Sequence, residues 1–435
     1  MNKLQKNITT INFLLLSIVL LIYSYLRINN TLLRNIAVGD EPAFLKVFEL
    51  YIKEGYYSAN AFGNSTIFNL SSGFINYFID NPLLSLKLSS LIFGFLCIVF
   101  LIKILNLKKS LTYLEKRLII ITAISSLVVS SIIFTGYNDV LVYFFTVLLF
   151  YFLEKLNLMK KNIKLSICIG VCFALMFLVR KMAVLFLVPF LLVFFHMHYK
   201  CYFSKGLQYI IVRFVKNIFI VTITSVLLLS FFNYPSLKEK KIFSFTVKAP
   251  EPSVKVNWIQ RQYLSALKVE QGELEFGQHM SWSQTEDYIK INGDNSLPKT
   301  YFESITFNFK NTLKHFAFNV FYQIKPITRL IGLLFIIFLI LKIIYIKSNL
   351  KFNVLTWNKI LIFFISYLSI LCFITFSYVE PRWYINTLIL LPIPLVGYIS
   401  KFKSNNNKKW LEFVFFNSQL VFLIIINIPY IIKNI

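Results

Sequence analysis

Gly39-Asp40-Glu41-Pro42 sets two adjacent carboxylates directly after the first long apolar run of the chain. Carboxylates at a membrane surface are costly to keep charged without partners, and side chains of this type can take and return protons. The same four residues also read as a helix start. Asp at an N-cap and Pro in the first turn would open an amphipathic helix over about 41–54, ended by Gly55. Phe44, Leu45, Phe48 and Ile52 recur at helical spacing, on a face suited to the membrane interface. Capping alone accounts for Asp40. It explains Glu41 less well, because a second carboxylate adds repulsion. The two roles are compatible, since a cap fixes the position of a carboxylate.

A second group of charges falls in very tight connections between apolar runs: Asp139 in Tyr137-Asn138-Asp139, and the pair Arg180-Lys181. The runs around them, 140–153, 165–179 and 182–196, are shorter than the ~20 residues of a full crossing. Helices of that length stop below the outer surface and leave Asp139, Arg180 and Lys181 at the floor of a water-filled recess, where charge at membrane depth is tolerated. Each residue also has a plainer explanation. Asp139 could cap the helix that follows, and Arg180 and Lys181 could snorkel from helix ends. Arg382 could pair with Glu380 or Asp139, and Trp383 and Tyr384 suit an interfacial aromatic belt.

The elements that must carry these residues follow from composition. Of 435 residues, 57% are hydrophobic and 15% charged, and the apolar residues fall in long runs. This is an all-α polytopic membrane protein by composition. We read about 11 spans: 9–26, 84–105, 118–134, 140–153, 165–179, 182–196, 215–232, 327–346, 359–378, 384–400 and 411–432. With the N-terminus cytoplasmic, the inside segments hold about half of the basic residues, whereas the three short outside connections hold only Arg180, Lys181 and Arg382. The same distribution explains the net charge of +26 without nucleic acid as a partner. Two long segments then face outward: the loop 27–83 and a polar stretch, 233–326, that could form a small external domain. The chain divides into an N-terminal membrane module (1–232), the external segment (233–326) and C-terminal membrane helices (327–435). The first apolar run lacks a small-residue cleavage site and is read as an uncleaved span.

The five cysteines lie in or beside apolar runs and suggest neither disulfides nor zinc, and the four histidines are scattered. No cofactor is expected, although Asp40, Glu41 and Asp139 are the kind of carboxylates that hold a divalent cation. Asn64-Ser65-Thr66 and Asn69-Leu70-Ser71 fit the glycosylation acceptor pattern, which is common by chance in an Asn-rich chain.

Several segments, in order, resemble one family. An Asp-Glu pair after the first span, leading into an interfacial helix, resembles the first external loop of GT-C glycosyltransferases, especially protein O-mannosyltransferases and the lipid A aminoarabinose transferase. Leu86-Lys87-Leu88-Ser89-Ser90-Leu91-Ile92-Phe93-Gly94 is similar to the start of their second span. Tyr137-Asn138-Asp139 falls where the family has a second external Asp, and Phe177-Leu178-Val179-Arg180-Lys181 resembles a family turn. Glu380-Pro381-Arg382-Trp383-Tyr384, leading to Leu391-Pro392, resembles a late family segment. The chain departs from the pattern before the second span, with Asn69-Leu70-Ser71-Ser72 where many relatives have His-Pro-Pro or Lys-Pro-Pro. The resemblance covers residues 9–235 and 327–400.

It implies a GT-C-like bundle in a bacterial inner membrane, with its active site on the external face. The implied reaction moves a sugar, with inversion, from a polyprenyl-phosphate donor to an external glycan, glycolipid or protein. Asp40 would be the base, with Glu41 orienting it or sharing the task. Arg180, Lys181, Arg382 and Lys87 would hold the lipid phosphate, with Asp139, Glu380 and Tyr384 also on the substrate side, and no metal at the reacting centre. The competing readings are an O-antigen polymerase, which would carry Arg-rich external loops, and a lipid-linked glycan flippase or transporter, which would show internal pseudo-symmetry.

Overall fold

A computed structural model of the chain describes residues 3–62, 65–156, 163–241, 243, 256–340, 358–375, 379–406 and 409–434. Among these, all regular structure is helical. Four helical stretches are long and apolar enough to cross a membrane: Lys3–Leu32, Pro82–Leu107, Lys181–Lys205 and Leu207–Phe232. A chain with four such helices has the makings of a multi-pass membrane protein. The run expected to be short at 182–196 belongs to one of these, because helical turns on both sides extend it to Lys181–Lys205. The span expected at 327–346 runs into 341–357, which lie outside the described residues.

The chain forms two compact units, each described by itself. The first comprises Met1–Val247, Ile327–Phe364 and Ile385–Ile435. Its helices begin with α1 (Lys3–Arg27), continued by a π-helical turn at Ile28–Leu32, then α2 (Glu41–Phe62), α3 (Thr66–Ile79) and α4 (Pro82–Leu107). There follow α5 (Tyr113–Ser130), α6 (Asp139–Lys155), α7 (Ile163–Val179), α8 (Leu187–Tyr202) and α9 (Leu207–Phe232). In packing, α6 lies between α4 and α7, α7 lies on α9, and α1 pairs with the helix Lys409–Asn434.

Local chemistry explains the element ends. Asn81 caps α4 by accepting from Leu84 N–H at 3.0 Å, with Pro82 in the first turn. Thr112 and Glu115 form a capping box for α5. At the α7–α9 crossing, a Cβ on Gly170 would come within 2.6 Å of the Val221 carbonyl, so glycine lets the two backbones meet.

The helix expected over 41–54 is present and breaks at Gly55, whose φ of 83° lies in the glycine region. It resumes and runs to Phe62. Beyond the break, Tyr56 Oη donates to the Phe232 carbonyl, and Asn60 Nδ2 donates to the same carbonyl and to Thr66 Oγ1, each at 3.1 Å. These bonds stabilise a second half that the sequence reading left out. Its apolar face also differs from expectation. Phe44 and Phe48 are buried, Phe44 against Phe68 and Tyr137, and Ile52 alone of the four is well exposed. The face packs into protein because α3 and α4 cover it.

The second unit comprises Lys248–Pro326 and Ile365–Tyr384, so it takes in a segment read from sequence as membrane helix. Three of its helices, Trp258–Glu270, Trp282–Asn292 and Tyr301–Phe307, are short, the first two opened by capping boxes at Asn257 and Ser281. Tyr263, Leu264, Ala266 and Leu297 form a small core. A longer helix, Phe309–Ile331, anchors itself by amides: Asn319 Nδ2 donates to the Thr375 carbonyl at 2.7 Å, and Gln323 Nε2 to the Val379 carbonyl at 3.2 Å.

Candidate functional site

Three turns that are far apart in sequence meet at one end of the first unit. The first is Val38-Gly39-Asp40-Glu41. Gly39 has φ 59°, and a side chain there would collide with the Tyr137 hydroxyl. Glycine is therefore required on both counts. The Asp40 carbonyl accepts from the Ala43 and Phe44 N–H groups, which puts Asp40 at the head of α2 as expected. Its backbone N–H donates to the Tyr137 hydroxyl at 3.3 Å, and that hydroxyl donates to the Val38 carbonyl at 3.4 Å. The Asp40 residue is partly exposed.

Glu41 behaves differently from its neighbour. It is wholly buried. Oε1 accepts from Gly136 N–H at 2.7 Å and Oε2 from Val38 N–H at 2.8 Å, while Lys87 Nζ stands 3.9 Å from Oε2. Lys87, also buried, donates to the Thr31 and Arg34 carbonyls, each at 2.8 Å. Two buried charges and three backbone segments thus form one closed knot, the arrangement in which buried ions are tolerated. The geometry favours Glu41 as an orienting group, because both of its oxygens are already engaged.

The second turn is Thr135–Asp139. Gly136 lies against Leu86, and a Cβ there would come to 3.0 Å of the Leu86 Cβ, so its approach to Glu41 depends on having none. Ser90 Oγ donates to the Tyr137 carbonyl at 2.9 Å. Gly94 meets Ile133 so closely that a Cβ would lie 2.8 Å from its Cγ2. Lys87, Ser90 and Gly94 of the 86–94 segment therefore each help hold the first two turns. Buried Asn138 donates through Nδ2 to Ser65 Oγ at 2.6 Å and to the Val179 carbonyl at 2.9 Å, joining the third turn.

The third turn is Val179-Arg180-Lys181. Arg180 Nη1 is paired with Asp139 Oδ1; Asp139 is 3% exposed and the Arg180 side chain 14%. Asp139 is the first residue of α6 and spends its carboxylate on Arg180, where a capping role was the alternative. Lys181 is exposed. Asp40, Glu41, Lys87, Asp139 and Arg180 are thus linked through hydrogen bonds and ion pairs across these turns. Tyr137, Asn138 and Ser90 complete the scaffold but were not singled out from sequence. The glycines beside them, Gly39 and Gly136, were the available signal.

The remaining predicted residues belong to the second unit. Arg382 Nε pairs with Glu380 Oε2, one of the two partners foreseen for it. Tyr384 is wholly buried and its hydroxyl donates to Gln323 Oε1, which overturns the interfacial-belt reading of this residue. Trp383 is 9% exposed and its carbonyl accepts from the Tyr367 hydroxyl at 2.9 Å, so it too is interior. Burial pushes the His279 imidazole below its ordinary pKa; Arg261 adds to the effect and Glu380 opposes it. His198, by contrast, is buried between the Phe194 carbonyl and the Asn217 amide, a packed histidine with both nitrogens occupied. Among the described residues, no group of three or more His, Cys, Asp and Glu is placed to hold a metal ion. No protein-family model and no curated protein matches the chain.

Proposed function

We propose that this chain is an integral membrane glycosyltransferase of the GT-C type. In this reading about 11 helices cross a cell membrane, the N-terminus is cytoplasmic and the three-turn cluster faces outward. A polyprenyl-phosphate-linked sugar is the donor, and an external glycan, glycolipid or protein is the acceptor. The acceptor hydroxyl attacks the anomeric carbon and the bond from that carbon to the lipid phosphate oxygen breaks. The configuration inverts, and the hydroxyl proton passes to Asp40. Arg180 and Lys181 stabilise the phosphate as it leaves, Arg180 by fork geometry and Lys181 as a point charge. Glu41 and Lys87 do not touch substrate in this scheme. They hold the Gly39–Asp40 turn and the Gly136 turn at fixed separation, so that Asp40 is positioned before the acceptor arrives. Arg382, Glu380 and Tyr384 are left out of the assignment, because their side chains are engaged within the second unit.

The observation that supports the reading is the meeting of the Asp40, Asp139 and Arg180 turns, which are distant along the chain, with Asp40 a partly exposed residue next to the buried, fully bonded Glu41. The test is transfer of a labelled sugar from polyprenyl phosphate by the purified protein in vesicles. Asp40→Asn should abolish transfer with folding intact. Unchanged transfer by that variant would remove Asp40 from the chemistry and the scheme with it.

A further inference from the structure

Between Thr312 and Ile324, the helix Phe309–Ile331 buries polar side chains and exposes several large apolar ones. Asn319 and Gln323 are 1% and 0% exposed and hydrogen-bonded inward, whereas Phe321 is 71% exposed. A water-facing helix has the opposite arrangement. At about 100° per residue, its residues sort into sectors. The inward sector holds Thr312, Asn319 and Gln323. Next comes an exposed apolar sector of Leu313, Ala317, Phe321 and Ile324; Lys310 falls within its far edge, between Ala317 and Phe321, and Lys314 and Lys325 lie beyond it. On the remaining side the Phe276 ring lies 4.8 Å from Phe318 and 4.5 Å from Tyr322, partly covering two residues that stay exposed. The helix carries no Asp or Glu; Glu270, from a neighbouring helix, reaches Lys314 at 2.9 Å.

We infer that residues 310–325 of this helix, read from sequence as part of an external segment, lie in the plane of an anionic lipid bilayer surface. The sector of Leu313, Ala317, Phe321 and Ile324 enters the acyl boundary and the lysine flank meets the phosphates. Apolar burial drives the contact, and the lysines, of which Lys314 also pairs with Glu270, supply the charge complement. Magnitudes decide the orientation. Lys310 and Lys325 are 15 residues apart, roughly 22 Å along the axis at 1.5 Å per residue. Were the helix to cross instead, the pair would fall about 8 Å short of a hydrocarbon layer about 30 Å thick, and Lys314, a turn inward from Lys310, would sit deeper still. Lying flat, both stay at headgroup level. Pro326, inside the helix just past this stretch, removes one backbone N–H from its ladder.

The inference is independent of the transferase reading, and its test uses the full chain in phosphatidylglycerol–phosphatidylcholine vesicles. Nitroxide labels are placed one at a time by Ala317→Cys, Phe321→Cys and Ile324→Cys, with the partly exposed Cys168 and Cys201 changed to serine. Lys290→Cys, at a well-exposed position of the same unit, serves as the water control. Collision with dissolved oxygen should exceed collision with a water-soluble nickel chelate at 317, 321 and 324, at similar depths, with the reverse at 290. Preferential collision with nickel at 321 would mean a face in water. Exclusion of both reagents would mean a protein partner, and a steady change of depth from 317 to 324 a crossing helix. Any of these three results overturns the inference.

Discussion

The two ends of α6 each hold a nearly buried carboxylate in an ion pair, yet their surroundings differ. At the first end Asp139 pairs with Arg180. Near the other, Glu154 lies between Lys108, at 2.6 Å, and Lys359, at 3.2 Å, and Lys359 also donates to the Leu153 carbonyl at 3.0 Å. By charge pairing alone the two are alike, and a buried ion pair is weak support for either stability or function. The difference lies in the surroundings. The Glu154 cluster straps helix ends together. The Asp139 cluster adjoins turns shaped by Gly39 and Gly136; beside it Lys181 is exposed, and Asp40 is partly exposed on a turn held by Glu41 and Lys87. An accessible titratable group on a rigid support is the better mark of a reacting centre.

That contrast can be broken most directly with Asp40→Asn. Removing a general base should reduce sugar transfer by about 10²–10⁴-fold without changing thermal unfolding. Glu154→Gln should do the opposite, lowering the unfolding temperature and leaving transfer intact; equal losses of transfer from both would erase the distinction. Next in size is Lys87→Met, which strands the buried Glu41 charge and should cost about 3–5 kcal/mol of stability. Adding Glu41→Gln should recover part of that in detergent-solubilised unfolding. A smaller effect is expected from Gly39→Ala. The left-handed backbone costs about 1–2 kcal/mol for a residue with a side chain, and the collision with the Tyr137 hydroxyl adds to it. Tyr137→Phe in the same chain should return the collision's share, so a double variant no better than the single would count against this packing account.

The weakest effect concerns acid. His279 has a folded-state pKa pushed below the ordinary histidine value by burial and by Arg261, against Glu380. His315 is pushed the same way by burial, with Glu270 opposing and Lys314 adding. In both, the unfolded chain takes up a proton at a pH where the folded one does not. Stability should therefore be complete above about pH 6.5 and decline as pH falls below it. His279→Gln should flatten that decline in a melting series from pH 7 to 5.

Much of the helical content was legible in the sequence. Long apolar runs signalled three of the four membrane-length helices, the run at 182–196 having read as too short, and Gly55 marked the break in α2, because these follow from hydropathy and from one residue's allowed dihedrals. The residues of the three-turn cluster were legible as types in tight connections. Their partners were not. Asp139 had a capping role open to it and took Arg180 instead, and Phe44 and Phe48 had a lipid-facing pattern and packed inward. A helical period identifies a face but not what covers it.

The sequence by itself determined that the chain is helical and apolar, that Asp40 heads a helix, and that Gly55 interrupts it, since these depend on near neighbours along the chain. Only the tertiary structure decided that Glu41 is sealed while Asp40 is not, that Lys87 and Glu41 together hold three backbone segments, and that Tyr384 is interior. Those outcomes depend on contacts between residues up to about a hundred positions apart along the chain, such as Glu41 with Gly136. Desolvation makes each such charge or hydroxyl take a partner, and which partner is within reach is settled by helix packing rather than by local sequence.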